Sequence, residues 1–168
     1  EATAEVFEDH WFKTGDVGVL EDGYLTITDR IKDLMKTSGG KYIAPQLIET
    51  TVGKDHFIEQ ISIIGDERKY VSALIVPAFD ALEDYAKSRN IPYTSREDLI
   101  GHPEIVQFYQ ERIEQNQREL AGFEKIKKFR LLSKPFTQED GEMTPTMKLK
   151  RKVINEKYRD IIDGMYGE

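Results

Sequence analysis

Residues 29–45 read DRIKDLMKTSGGKYIAP, and the order of residue types in that stretch decides how the rest of the chain is read. It opens on alternating charge (Asp29, Arg30, Lys32, Asp33), passes the apolar pair Leu34 and Met35, and reaches Thr37-Ser38-Gly39-Gly40 with Lys41 directly behind. Glycine takes positive φ without a Cβ clash, and successive amide N–H groups in such a turn can form a concavity for an anion. The stretch therefore reads as a charged pivot followed by a phosphate-compatible loop. Residues 34–36 and 42–43 flank the loop as short strands. Pro45 then opens a helix over residues 46–52, since proline is tolerated in a first helical turn, and Gly53 supplies its exit.

Upstream, Asp16 precedes residues 17–20 and 24–28, two runs joined by a Glu21-Asp22 turn with Gly23 behind it; their alternation and the Asp22-Gly23 signal predict a β-hairpin. Residues 1–13 read as the end of a helix or turn leading into a strand, with Trp11 and Phe12 in the core. Downstream, residues 58–64 alternate, Gly65-Asp66 turns the chain, and residues 71–76 are a continuous apolar run; together they predict a buried antiparallel pair. A helix follows over residues 78–89, and another over residues 102–120 with Ile105, Phe108, Tyr109, Ile113 and Leu120 on one face. Residues 128–132 predict a third core strand and residues 133–144 a loop. A last helix over residues 148–165 is expected to turn Val153, Tyr158, Ile161 and Ile162 inward. The fold class is α+β: a small domain with a two-stranded hairpin and a three-stranded sheet flanked by helices, preceded by a β-hairpin that belongs to something else.

The 168 residues suffice for one domain with a core, or for one domain plus the tail of another. With 39% hydrophobic and 33% charged residues, the composition is that of an ordinary globular protein. No apolar run approaches the roughly 18 residues that a spanning helix needs, and no leader pattern opens these residues, so neither a transmembrane segment nor a signal peptide is expected. The lack of cysteine excludes disulfides, thiolate metal sites and cysteine nucleophiles. His10, His56 and His102 are too scattered for a metal site. A net charge of −7 argues against nucleic acid as a partner. Yet Lys125, Lys127, Lys128 and Arg130 form one basic cluster and Lys148, Lys150, Arg151 and Lys152 another, which suits a compact polyanion such as a nucleotide.

Three stretches carry a resemblance: Thr14-Gly15-Asp16, the pivot and glycine loop of residues 29–45, and Thr144-Pro145-Thr146-Met147-Lys148-Leu149-Lys150-Arg151. Together they resemble the adenylate-forming superfamily of acyl-CoA synthetases, peptide-synthetase adenylation domains and luciferases, and within it the long-chain fatty acyl-CoA synthetases. The resemblance runs along nearly the whole chain. It implies a fragment, with residues 1–31 as the tail of an N-terminal adenylation domain and residues 32–168 as the C-terminal lid domain. The implied parent is an AMP-forming long-chain fatty acid–CoA ligase that joins a fatty acid to ATP, releases pyrophosphate, and passes the acyl group from AMP to CoA. The implied cofactors and partners are ATP, CoA, the fatty acid, the chain's own N-terminal domain, and Mg2+ with its ligands outside these residues. A cytoplasmic location follows, with peripheral membrane contact through the absent half left open, and the fragment alone is expected to be inactive.

The same resemblance assigns roles by position. Asp16, whose two carboxylate oxygens can hold a vicinal diol, is expected to bind the ribose hydroxyls of ATP. Arg30 matches an arginine that contacts ribose or phosphate and is taken as nucleotide-binding, the plainer alternative being a surface salt bridge to its neighbour Asp29. Lys32 stands at the hinge, about which the lid swings between adenylate-forming and thioester-forming arrangements. Ser38, Gly39 and Gly40 form the loop that approaches the CoA channel. Lys41 sits where many members place a phosphate-reaching arginine. Lys148 is expected to be the catalytic lysine that contacts the carboxylate and α-phosphate during adenylation, with Arg151 keeping the register that favours it over Lys150. Met147 departs from the pattern, since glycine often precedes that lysine, and a lysine at a helix N-terminus conflicts with the helix dipole. The rival readings are an adenylation domain that loads a carrier protein, and a non-catalytic interaction module that retains the lid fold.

Overall fold

The computed structural model describes residues 6–167. Along the chain run β1 (Phe7–Glu8), β2 (Trp11–Phe12), β3 (Asp16–Glu21) and β4 (Tyr24–Arg30), then a single 3-10 turn at Ile31–Asp33. There follow β5 (Met35–Lys36), β6 (Tyr42–Ile43), α1 (Pro45–Val52), β7 (Ile58–Ile64), β8 (Val71–Pro77), α2 (Phe79–Ser88), α3 (Arg96–Gly101) and α4 (Pro103–Asn116). The chain ends with β9 (Ile126–Leu131), α5 (Arg151–Lys157) and α6 (Arg159–Tyr166).

The apolar run at residues 71–76 becomes β8, the middle strand of the core sheet, with β7 antiparallel on one side and β9 parallel on the other. Every residue of β8 is buried. Side chains alternate along a strand, so unbroken burial requires both faces of the sheet to be covered. The parallel step from β8 to β9 needs a long crossover, which α2, α3 and α4 supply. β9 lies at the sheet edge and leaves Lys127, Lys128 and Arg130 exposed, charges that discourage pairing with another chain. Around the sheet, Ile48, Ile63, Leu74, Leu82, Ile113 and Met165 are almost fully buried.

The expected hairpin forms, with Asp16 opposite Arg30 and Glu21 opposite Tyr24. Its turn is Asp22-Gly23 rather than Glu21-Asp22: both residues have positive φ, +49° and +83°, the pairing that matches the twist of a two-residue hairpin. Trp11 and Phe12 are not in a core. They form β2, paired only with β1, and are 80% and 58% exposed, because nothing apolar in the described chain packs on that short hairpin.

Three helix expectations change. The helix predicted over residues 102–120 stops at Asn116, because the buried Gln117 amide turns back to pair with the main chain at the start of β9, donating to the Ile126 carbonyl and accepting from its N–H. The helical stretch from Ser95 onward is not continuous: α3 is a separate short helix ahead of α4, and Ser95 caps it by accepting the Asp98 N–H. The last helix is two helices, broken at Tyr158 and starting at Arg151 rather than Lys148. Ile154, Ile162 and Met165 fill its inner face, Val153 and Tyr158 are half-buried, and Ile161 is exposed.

Candidate active site

Lys148 sits on a turn, not on a helix. The Thr144 N–H donates to the Lys148 carbonyl at 2.8 Å, and the Lys148 N–H donates to Thr144 Oγ1 at 3.0 Å. Met143 and Leu149 pair as an antiparallel bridge, so residues 142–150 form a small hairpin with Lys148 beside its tip. The helix-dipole conflict read from the sequence does not arise. Met147 has φ +61° and lies in the left-handed region, where a side chain costs about 1–2 kcal/mol. That backbone explains why glycine suits this position. Lys148 is exposed, and among the described residues its ammonium has no ion-pair partner.

The hairpin brings Lys148 to a cleft of about 490 Å3 that is also lined by Arg30, Asp33, Gln46, Glu49 and Arg151. Two of the expected site residues, from opposite ends of the chain, thus share one cavity; Lys150 is not in its lining. Arg151 is committed elsewhere: its guanidinium binds both oxygens of Glu49, with Nη2 to Oε2 at 2.7 Å, while Glu49 Oε1 also accepts the Ile63 N–H. Burial opposes the charge on Arg151, but Glu49 outweighs it, with Asp29 and Asp33 adding, so its pKa is raised further. Arg151 therefore braces the cleft wall, and of the cleft's other cations Lys148 is the one without an ion-pair partner among the described residues.

Arg30 Nε pairs with Asp16 Oδ1 at 3.1 Å, directly across the hairpin. Asp29, the alternative surface partner of Arg30, is 2% exposed and faces inward. Its carboxylate accepts the Arg30 N–H at 2.7 Å and the Gln46 N–H at 3.0 Å. The second bond caps α1, whose own N-cap residue, Ala44, has no side chain to do so. Asp29 and Glu49 escaped the sequence reading because each acts through a partner far along the chain.

Lys32 lies in the 3-10 turn and lines a second cleft of about 820 Å3 together with Ser38, Arg68, Lys152, Asn155 and Arg159. Asp33 and Arg151 line both clefts, so the turn and this arginine stand between them. The glycine loop does not offer the open row of amides expected of it. The Ser38 N–H donates to the Arg68 carbonyl, the Gly40 N–H to the Thr37 carbonyl, and the Lys41 N–H to Thr37 Oγ1. Thr37 closes the turn on itself and takes the Gly40 and Lys41 donors, while Arg68 takes that of Ser38; Gly39 lies within the turn and Gly40 takes φ +79°. Lys41 lines neither cleft and places its ammonium 5.7 Å from the centre of the Phe123 ring. Among the described residues no group of three or more histidines and carboxylates could hold a metal ion.

The described residues form a mixed α+β domain in which a charged 3-10 turn stands between two clefts, one of them lined by the unpaired Lys148. The family model described as AMP-binding enzyme C-terminal domain matches residues 32–168, and the chain belongs to that family. It is 39% identical to the long-chain-fatty-acid–CoA ligase FadD15 of Mycobacterium tuberculosis, over all of this chain and 28% of that protein. It is 34% identical to long chain acyl-CoA synthetase 2 of Arabidopsis thaliana, over 99% of this chain and 26% of that one. The chain thus spans about a quarter of the length of these relatives. Among solved structures, the adenylation domain of a carboxylate reductase from Mycobacterium chelonae superposes with a TM-score of 0.74 at 28% identity, over 99% of this chain and 25% of that one. A fatty acyl CoA synthetase from Mycobacterium tuberculosis superposes at 0.51 with 26% identity, over 96% and 27%.

Proposed function

We propose that this chain is the C-terminal part of an AMP-forming long-chain fatty acid–CoA ligase, with residues 1–31 closing a large N-terminal adenylation domain and residues 32–168 forming its lid. The observation that carries the reading is the cleft shared by Arg30 and Lys148; the similarity to long-chain ligases supplies the substrate class. In the first step a fatty-acid carboxylate oxygen attacks the α-phosphorus of ATP, the α–β anhydride bond breaks, and pyrophosphate leaves. Negative charge gathers on the phosphoryl oxygens, and the Lys148 ammonium stabilises it while Arg30 and Asp16 hold the nucleotide. In the second step the CoA sulfur attacks the acyl carbonyl, a C–S bond replaces the C–O bond to AMP, and AMP leaves. Lys32 is the pivot between the two arrangements, and Ser38, Gly39 and Gly40 line the approach of CoA. Lys41 is assigned to a nucleotide phosphate in one of them. ATP, CoA and the chain's own N-terminal domain are the partners, and Mg2+ arrives with ATP on ligands outside these residues. A cytoplasmic enzyme is the setting proposed; among the described residues no helix is long and apolar enough to cross a membrane.

The exposed apolar side chains of residues 6–31, Trp11, Leu20, Tyr24 and Leu25 among them, support the division at residue 31. Such a face is expected where a hairpin packs on a domain to which it belongs. The superposition on carboxylate reductase adenylation domains favours one second reading, in which the acyl group passes to a carrier protein. Incubating the intact enzyme with a long-chain fatty acid, ATP and CoA tests the choice. Acyl-CoA and AMP are expected as products; transfer only to a carrier-protein thiol selects the second reading, and no activation of any acid refutes both.

A further inference from the structure

The Lys148 hairpin has a buried carboxylate at its base. Glu142 is 0% exposed, in a loop whose other acids, Glu139 and Asp140, are exposed. Its main chain belongs to the hairpin: the Lys150 N–H donates to the Glu142 carbonyl at 2.7 Å, and the Glu142 N–H to the Thr137 carbonyl at 3.0 Å. Its side chain leaves the hairpin. Oε2 accepts the Thr137 N–H at 3.0 Å, and Oε1 accepts the Tyr158 hydroxyl at 2.9 Å and pairs with Lys157 Nζ at 2.8 Å. Lys157 and Tyr158 stand where α5 ends and α6 begins. One residue thus ties the hairpin together and to its surroundings: its main chain bonds the strand that follows Lys148, and its carboxylate bonds Thr137 ahead of the hairpin and the break between the last two helices.

We infer that Glu142 is a positioning residue for Lys148: it fixes the base of the hairpin against the α5–α6 break and thereby sets where the lysine ammonium stands in the adenylation cleft. A carboxylate with no exposure is retained only when it is fully hydrogen-bonded. The donors that satisfy this one, Thr137, Lys157 and Tyr158, lie outside the hairpin and tie its base to the preceding loop and to the α5–α6 break. The tip of the hairpin has no comparable anchor: Pro145, Thr146 and Met147 are exposed, and the turn bonds come from Thr144. A lysine on an exposed turn needs its rigidity from the base, and displacement by about 1 Å is enough to cost a reacting group about a hundredfold.

This inference rests on the adenylating reading above, and its test separates the two. In the intact enzyme, wild type, Glu142→Gln, Lys148→Ala and the double variant are compared in two assays: fatty-acid-dependent ATP–pyrophosphate exchange, and thioester formation from premade acyl-adenylate and CoA. Glu142→Gln is expected to lower the exchange kcat by about tenfold to a hundredfold with the KM for ATP little changed, and to leave thioester formation intact. The double variant is expected to be no slower than Lys148→Ala alone, because Glu142 acts through Lys148 and their effects do not add. Tyr158→Phe, which removes one donor and keeps the packing, gives a smaller fall in the same assay and serves if Glu142→Gln does not fold. Additive losses in the double variant, or equal losses in both assays, overturn the inference and leave Glu142 a structural residue. Absence of exchange in the wild type overturns the adenylating reading first, before any variant is measured.

Discussion

At the scale of single residues, buried charges are paired where they hold the frame, and Lys148 stands exposed without an ion-pair partner among the described residues. Asp55 is an example of the first kind: it is 8% exposed and accepts from Arg112 Nε, the Phe57 N–H and the Asn116 amide. Burial pushes its pKa up, but these donors outweigh burial and leave it below the ordinary carboxylate value. A lowered folded-state pKa contributes stability above the unfolded value, near about pH 4, and that contribution is lost as pH falls through the folded value. Asp55→Asn is therefore expected to lower the urea midpoint at neutral pH, with the deficit shrinking below about pH 4; a deficit that persists unchanged in acid contradicts the assignment. Arg151 is expected to behave as a brace. Arg151→Met strands the Glu49 carboxylate and costs about 1–3 kcal/mol in urea unfolding, and Arg151→Lys recovers only part, since an ammonium cannot grip both oxygens. The candidates Arg30 and Lys148, which share one cleft, could be picked out because Thr14-Gly15-Asp16, the charged stretch and the lysine segment that carry the resemblance are short, local patterns. Asp29, Glu49 and Glu142 were not legible, because each is defined by a partner that sequence order does not reveal.

At the scale of elements, α1 is capped from outside. Its eight residues are too few to hold a helix alone, and Asp29, reaching over from β4, satisfies the Gln46 N–H. Asp29→Ala is expected to cost about 1 kcal/mol, as loss of an N-cap does, and to raise hydrogen exchange in the first turn of α1 before that of β8. Uniform loss of protection along the chain would contradict a local cap. β7, β8 and α1 could be read from their apolar patterns and from the proline and glycine at the helix ends. The final helix could not: its apolar spacing fits one continuous helix, and only the contacts of Tyr158 with Glu142 and, edge to face, with the Phe136 ring mark the break.

At the scale of the whole molecule, one three-stranded sheet anchors everything that the site needs. Leu74 in β8 is fully buried, and Leu74→Ala is expected to cost about 2–5 kcal/mol in urea unfolding through the cavity it leaves. The fold class and the sheet were legible because a chain of this size forms its core where the apolar residues are concentrated. The exposure of Trp11 and Phe12 was not, since an aromatic pair signals burial without saying in what. Around that sheet the pivot turn, the brace formed by Arg151 and Glu49, and the hairpin at residues 142–150 place Arg30 and Lys148 on one cleft. The most direct test is fatty-acid-dependent ATP–pyrophosphate exchange by the intact enzyme with and without Lys148→Ala. The account predicts a fall of about 10²–10³ in exchange while thioester formation from premade acyl-adenylate persists. Exchange that is unchanged when Lys148 is lost would contradict it.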